Sequence, residues 1–321
     1  MDHNTASAQR QACLRGLRFI HLHSLEGENF EDWDGDYLWC FYCVASTSAD
    51  PELSALARDL GTACAQRWMA SQDQLPPLDD AGEVAYYVAL LQVAALLGVE
   101  NPQLHHHVQA AIPRFTAREY LGFDPRTEPP PRQPGRSRYD IWLDALVSTY
   151  TGEGFGTPLG AAYADVLRWL PEMRPYRGPD GGANPEFRDI VLAITHLIYT
   201  LNDYSRYRLS PKWLPDEFEF LQTHLNDPLV AGDAELLGEF VDCLRSFGMT
   251  ASDAALSRSV EFLVASQNAD GSWGDVHHPD PHTRYHTAWT AIDALREYAW
   301  RDRPQWPESI RQWFTNFQAP M

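Results

Sequence analysis

Three stretches of the chain carry acids and histidines at helical spacing. His286, Thr290, Asp293 and Glu297 recur at i, i+4, i+7 and i+11, and Glu235, Glu239, Asp242 and Ser246 repeat that spacing. Asp189, His196, Thr200 and Asp203 fall at i, i+7, i+11 and i+14. Such spacings put each set on one narrow face of a helix, and the remaining faces are mainly Leu, Ile, Val, Ala and aromatic. A narrow polar stripe on an otherwise buried helix most economically faces an internal cavity. Two chemistries suit such stripes. Histidine beside carboxylates holds a divalent ion, and a carboxyl buried without a counter-charge stays protonated and acts as an acid. A plainer role competes: Asp36, Glu83, Asp140, Asp189 and Glu235 fall near helix starts, where an acid complements the helix dipole. A buried histidine is also often hydrogen-bonded core.

The elements that position these residues follow from the apolar pattern. The segments GDYLWCFYCVAST, GEVAYYVALLQVAALLG, RYDIWLDALVSTY, FRDIVLAITHLIYTLNDY, DAELLGEFVDCLRSFG and RYHTAWTAIDALREYAW are apolar around most of their circumference and long enough for helices. Amphipathic segments alternate with them: PELSALARDLGTACAQRWMA, NPQLHHHVQAAIPRF, PLGAAYADVLRWLPEM, LPDEFEFLQTHL and ASDAALSRSVEFLVASQ. The apolar set returns about every 50 residues, a period of stacked helical hairpins. The expectation is an all-α chain, an (α/α)6 toroid or barrel with an inner ring of buried helices and an outer ring facing water. Prolines exclude helix from DPRTEPPPRQPGRSR, residues 124–138, which is expected to be a long loop inserted in a single domain spanning 1–321.

Composition narrows the partners. With 321 residues, 44% of them hydrophobic, the chain suits a globular protein with a large core. Its net charge of -19 and pI near 4.9 argue against nucleic acid and against an anionic membrane surface, since phosphate contacts need clustered Lys and Arg. No apolar run reaches the ~20 residues needed to span a bilayer, and the amino-terminal stretch lacks the core of a signal peptide. A cytoplasmic protein with reduced thiols acting on a small molecule is expected, Cys40 and Cys43 packing as small hydrophobes. Aromatic residues, 12% of the chain, include Trp39, Tyr42, Tyr86, Tyr87, Trp142, Tyr199 and Trp289 on the apolar helices. Tyr87, Trp142, Tyr199 and Trp289 are the candidate substrate-binding set, whose π faces suit an apolar molecule or a carbocation.

One motif points to a family. FLVASQNADGSW places Phe262, Leu263, Gln267, Gly271 and Trp273 at aromatic-Leu-x3-Gln-x3-Gly-x-Trp spacing. This resembles the QW repeat of squalene-hopene and oxidosqualene cyclases, whose relatives include the protein prenyltransferase β-subunits. The motif caps an outer helix: Gln can bond orphan carbonyls or the next turn, and Trp covers the junction. Tyr285, His286 and Thr287 are similar to the Tyr-His-Thr start of a prenyltransferase inner helix, whose His binds zinc. Counting back from Leu295 and Leu244 levels His286 with Glu235, and Asp233-x-Glu235 then stands where that family has Asp-x-Cys. The resemblance, taken with the polar stripes, points to a divalent ion (Fe, Mn, Zn or Mg) held by His286 and Glu235, with His196 of a neighbouring stripe as a further ligand and Asp189, Asp242 or Glu239 as orienter or general base. A carboxylate where the family has a thiolate argues against protein prenylation.

The cyclase signatures are reduced. No Asp-x-Asp-Asp occurs; DWDGD at 32–36 comes nearest, and Asp79-Asp80-Ala81-Gly82-Glu83 is a weakened Asp-Asp-x-x-Asp. A metal-independent terpenoid or polyene cyclase or isomerase using Asp189 or Asp242 as a protonated acid is therefore the alternative to a metal-dependent enzyme. A non-catalytic binding toroid is the third. His105, His106 and His107 are expected on an outer surface, and His277, His278 and His282 in a polar loop leading to His286.

Overall fold

The computed structural model describes residues 3–301 except Asp73, and beyond them Pro304, Trp306, Glu308, Ile310, Arg311 and Phe314. The described residues are helices joined by turns, without a strand. In chain order the α-helices are α1 (His3–Ser24), α2 (Asn29–Thr47), α3 (Pro51–Ser71), α4 (Ala81–Leu96), α5 (Pro102–Ala111), α6 (Ala117–Leu121), α7 (Arg138–Phe155) and α8 (Tyr163–Leu167). They continue as α9 (Leu170–Met173), α10 (Phe187–Leu201), α11 (Pro215–His224), α12 (Asn226–Ala231), α13 (Ala234–Ser246), α14 (Ala254–Ala265) and α15 (Pro281–Leu295). No described helix is long and apolar enough to cross a membrane.

All six apolar segments are helical, as α2, α4, α7, α10, α13 and α15. Side chains set their starts: Asp80, Ser137, Asp233 and Asp280 occupy the N-cap positions of α4, α7, α13 and α15 and accept backbone N–H bonds there. Among the amphipathic segments, residues 158–173 do not form one helix but split into α8 and α9. Pro171 sits in α9 and lacks the N–H that a continuous helix requires there. Residues 122–137 contain no helix, as their prolines dictate. One further element differs from expectation. The 22-residue α1 was not anticipated, because Gln9, Cys13, Gly16, His23 and Ser24 are interspersed with Leu14, Leu17, Phe19 and Ile20 among its buried residues, too mixed to stand out as apolar. Asp36 lies three residues past a kink at Trp33, in the first turn of the second piece of α2.

The chain divides into two compact units, residues 1–64 with 202–304 and residues 65–201 with 305–321. In the first, α15 packs against α13 and α1 and touches α2, while α11, α12 and α14 lie against α13. In the second, α7 packs between α4 and α10, with α5 and α6 on α4 and α8 on α7.

The Gln-Gly-Trp motif ties α14 to α1. The Gln267 amide donates to Ala12 O and to Gly271 O, both at 2.9 Å, and its oxygen accepts from Arg15. Trp273 is 1% exposed and its indole N–H donates to Leu263 O at 2.7 Å, satisfying a carbonyl of the last turn of α14. Gly271 has φ +96° and lies so close to α1 that a Cβ would stand 2.6 Å from Arg15 O. Trp273→Ala is expected to cost about 3 to 5 kcal/mol, the range for emptying a buried aromatic site. Urea denaturation checks this; a loss below about 1 kcal/mol would deny the motif its structural role.

Candidate acid–base site

Within the first unit, α13 and α15 cross at Gly238. A Cβ there would lie 2.6 Å from both the carbonyl carbon and oxygen of Thr290, so only glycine permits the approach. The close crossing presses the two acidic stripes together. Glu235, Glu239, Asp242 and Ser246 are all buried, and Thr290 with them. Beyond the first turn of α15, only His286, Trp289 and Asp293 are partly accessible. On α2 the partly accessible residues past the kink at Trp33 are Gly35, Asp36, Trp39, Tyr42 and Ser46. α2 and α15 thus each show solvent one narrow face at helical spacing, and those faces carry Asp36, His286, Asp293 and the aromatic rings, while the acids of α13 are buried.

At the amino-terminal end of the stripe, His286 Nδ1 pairs with Glu235 Oε1 at 3.0 Å. Burial disfavours the His286 charge, but the hydrogen bond and charge of Glu235, aided by Glu239 and Asp36, outweigh it and raise its pKa above the usual histidine value. His282 stacks on His286, rings 4.9 Å apart and 17° from parallel. Burial and the positive charge of His286 lower the His282 pKa, so the proton settles on His286. Asp36 closes the cluster: its Oδ2 accepts from the Tyr285 hydroxyl at 2.7 Å and lies 3.7 Å from His282 Nε2. Tyr285 packs on Tyr37 at 4.4 Å, and the Tyr37 hydroxyl pairs with His23 Nδ1 at 2.8 Å.

Two turns along, about 10 Å by helix rise, lies a second centre. Asp242 is 1% exposed; burial first, and the charge of Asp293 second, push its pKa up to about 7. Burial also raises the pKa of Asp293, against the opposing charge of Arg296. Arg296, 2% exposed, donates from Nε to Asp293 Oδ1 at 2.8 Å and from Nη1 to Thr47 Oγ1 at 2.5 Å, with its guanidinium 4.0 Å above the Tyr298 ring. The Tyr298 hydroxyl donates to the Asp293 carbonyl at 2.9 Å. Ser205 donates to Asp242 Oδ2 at 3.0 Å. One arginine thus serves two carboxyls, so neutralisation is incomplete and one of the pair holds a proton towards neutral pH. An open groove of about 800 Å³, with Arg208, Arg245 and Trp300 among its walls, borders this end at Tyr298.

Apart from Asp233, the other residues expected at a site lie in the second unit. On α10, Asp189, His196 and Tyr199 share the narrow accessible face with Leu192; His196 Nδ1 donates to Leu192 O at 2.8 Å, and its ring meets Tyr199 edge-on at 5.6 Å. Tyr87 on α4 donates to Gln72 at 3.1 Å. Trp142 is wholly buried with its indole bonded to Val166 O at 3.1 Å, a place in the core of that unit. Asp233 is committed as an N-cap and accepts from Leu236 N at 3.0 Å. The Asp79-Asp80-x-x-Glu83 sequence is a reciprocal helix cap, Glu83 N donating to Asp80 at 2.9 Å and Asp79 N to Glu83 at 2.8 Å. His107 bonds Pro76 O at 2.7 Å and His105 stacks on Phe155 at 4.2 Å, so the histidine triplet is partly packed surface. All five cysteines are buried thiols.

Among the described residues, no group of three or more His, Cys, Asp or Glu gathers as metal ligands. Sequence spacing did not reveal Arg296, which lies beyond the end of α15, or Ser205, which lies in a turn. No protein-family model, curated protein or solved structure matches the chain.

Proposed function

We propose that the chain is an acid–base enzyme that isomerises or cyclises a small, largely apolar unsaturated molecule, on a toroid of the terpenoid cyclase type. The observation that carries this is Asp242, a buried carboxyl with its pKa pushed up to about 7 beside a second carboxyl. A carboxyl that keeps its proton in a substantial fraction of molecules near pH 7 is a general acid at working pH. Asp293, the more accessible member of the pair, passes the proton to a carbon–carbon double bond. The cation so formed lies against Trp39, Tyr42 and Trp289, whose π faces stabilise positive charge. The Asp pair, ionised by that transfer, takes a proton from a neighbouring carbon, while the protonated His286, held by Glu235, serves as a fixed charge and not as the base. The product is an isomer, and the Asp pair ends with the proton count it began with.

The same residues support acid–base over metal chemistry because Glu235 and His286 are bonded to each other and, among the described residues, no group of three or more His, Cys, Asp or Glu gathers as a ligand set. The test is incubation with a panel of acyclic polyenes, with and without chelator, followed by mass spectrometry and chromatography. Conversion of one polyene to a product of unchanged mass is expected in both conditions, and Asp242→Asn should slow it about 10²- to 10⁴-fold, the worth of general acid catalysis. Turnover abolished by chelator, with a stoichiometric ion that is lost in His286→Ala, would instead establish the metal-dependent alternative.

A further inference from the structure

The turn after α10 holds three successive non-glycine residues in the left-handed region: Asp203 at φ +56°, Tyr204 at +50° and Ser205 at +62°. L-residues visit this region singly, because their Cβ crowds the following carbonyl, and runs of them are disfavoured. Here the surroundings over-determine the run. Asn202 Oδ1 accepts from Ser205 N at 2.7 Å, and Asn202 O accepts from Arg206 N and Tyr207 N at 3.1 and 3.0 Å. Tyr204 stacks on Trp39 at 5.1 Å, and Arg206 bridges Asp203 Oδ2, at 2.7 Å, and the Tyr42 hydroxyl. Glycine at 205 would adopt the same backbone without strain. What glycine would lack is the hydroxyl, and that hydroxyl, 2% exposed, donates to Asp242 Oδ2.

Asp242 Oδ1, equally buried, has no hydrogen-bond partner. A carboxyl oxygen that accepts a hydrogen bond is favoured as the carbonyl oxygen, which leaves the proton to the other. The groups facing Asp242 are Asp293, Arg296 and Tyr298 from α15 and the segment after it, and Ser205 from the turn. The guanidinium of Arg296 is bonded to Asp293 and Thr47, while the Tyr298 hydroxyl donates to the Asp293 carbonyl and also stands against the Asp242 carboxyl, whose Oδ1 is left without a partner. We infer that Ser205 is a positioning residue: the left-handed turn holds its hydroxyl on Oδ2 of Asp242 so that the transferable proton resides on Oδ1. This rests on the acid role proposed for the Asp242–Asp293 pair and goes beyond it by naming the oxygen of Asp242 that holds the proton.

The experiment is infrared spectroscopy of the full chain at pH 6, comparing the protonated-carboxyl stretch of wild type, Ser205→Gly, Ser205→Ala and Asp242→Asn, with unfolding midpoints measured in parallel. The band lost in Asp242→Asn identifies Asp242. It is expected to move to higher frequency in both serine variants, because the carbonyl oxygen no longer accepts a hydrogen bond. The unfolding midpoint of Ser205→Gly is expected to equal or exceed that of wild type, since strain is relieved. An unmoved band in a folded Ser205→Gly overturns the inference while leaving Asp242 as acid. Absence of any band dependent on Asp242 overturns the inference together with the proposed function, a different signature.

Discussion

Wild-type protein is expected to lose stability relative to Asp242→Asn as pH rises from about 4 to about 8. In the folded state the Asp242 pKa is pushed up to about 7, whereas in the unfolded chain it returns to the ordinary carboxylate range near 3.8. Between those values the folded protein binds the proton and the unfolded chain does not, so the slope of stability with pH is negative. Below the unfolded value both states are protonated and the contribution is fully present; it is lost as pH rises through the folded value. A shift of this size corresponds to at most about 4 kcal/mol at 1.36 kcal/mol per unit. His286 and Asp293, also raised, act in the same sense, while His21, His23 and His282 and the carboxylates Asp50, Asp124 and Asp280, all lowered, act in the opposite sense, so the contribution of Asp242 is read as the difference between wild type and variant. Urea midpoints at intervals of pH supply the measurement. A slope from pH 5 to 8 no more negative in wild type than in Asp242→Asn would show that the buried pair is ionised.

Gly238→Ala is expected to destabilise the protein by about 2 kcal/mol, and Gly238→Leu by more. Two effects compete. In a helix interior, alanine is worth up to about 1 kcal/mol over glycine by propensity alone. Against this, the new Cβ would meet the Thr290 carbonyl carbon and oxygen at 2.6 Å, backbone atoms that move only if α13 and α15 separate. Overpacking of that kind costs about 1 to 3 kcal/mol and exceeds the propensity gain. Because Glu235 lies one turn before Gly238, separation also lengthens the 3.0 Å bond between Glu235 and His286. The His286 pKa should therefore fall in Gly238→Ala, which NMR titration of the imidazole would detect. An alanine variant more stable than wild type would mean that the crossing is looser than described.

Much of this architecture is legible in the residue pattern, for reasons that also explain the gaps. Helices with apolar circumference, such as α13 and α15, announce themselves, and counting back from Leu244 and Leu295 levels Glu235 with His286, which are bonded. The acid and histidine stripes are legible because helical spacing alone fixes a shared face. Asp36 meets Tyr285 across 249 residues of chain, a pairing no local period encodes. Arg296 lies just past the end of α15, where spacing no longer dictates direction. Ser205 adopts a left-handed conformation that its residue type disfavours, so neither its turn nor its contact with Asp242 can be read locally. The helix α1 hides because small and polar residues fill much of its buried face.

The account stands on Asp242 carrying a proton near neutral pH, and ¹³C NMR titration of the aspartate side-chain carboxyls measures this directly, with Asp242→Asn assigning the resonance. The expected result is one buried aspartate whose carboxyl carbon titrates with a midpoint of about 7. An Asp242 resonance already fully ionised at pH 5 would contradict it.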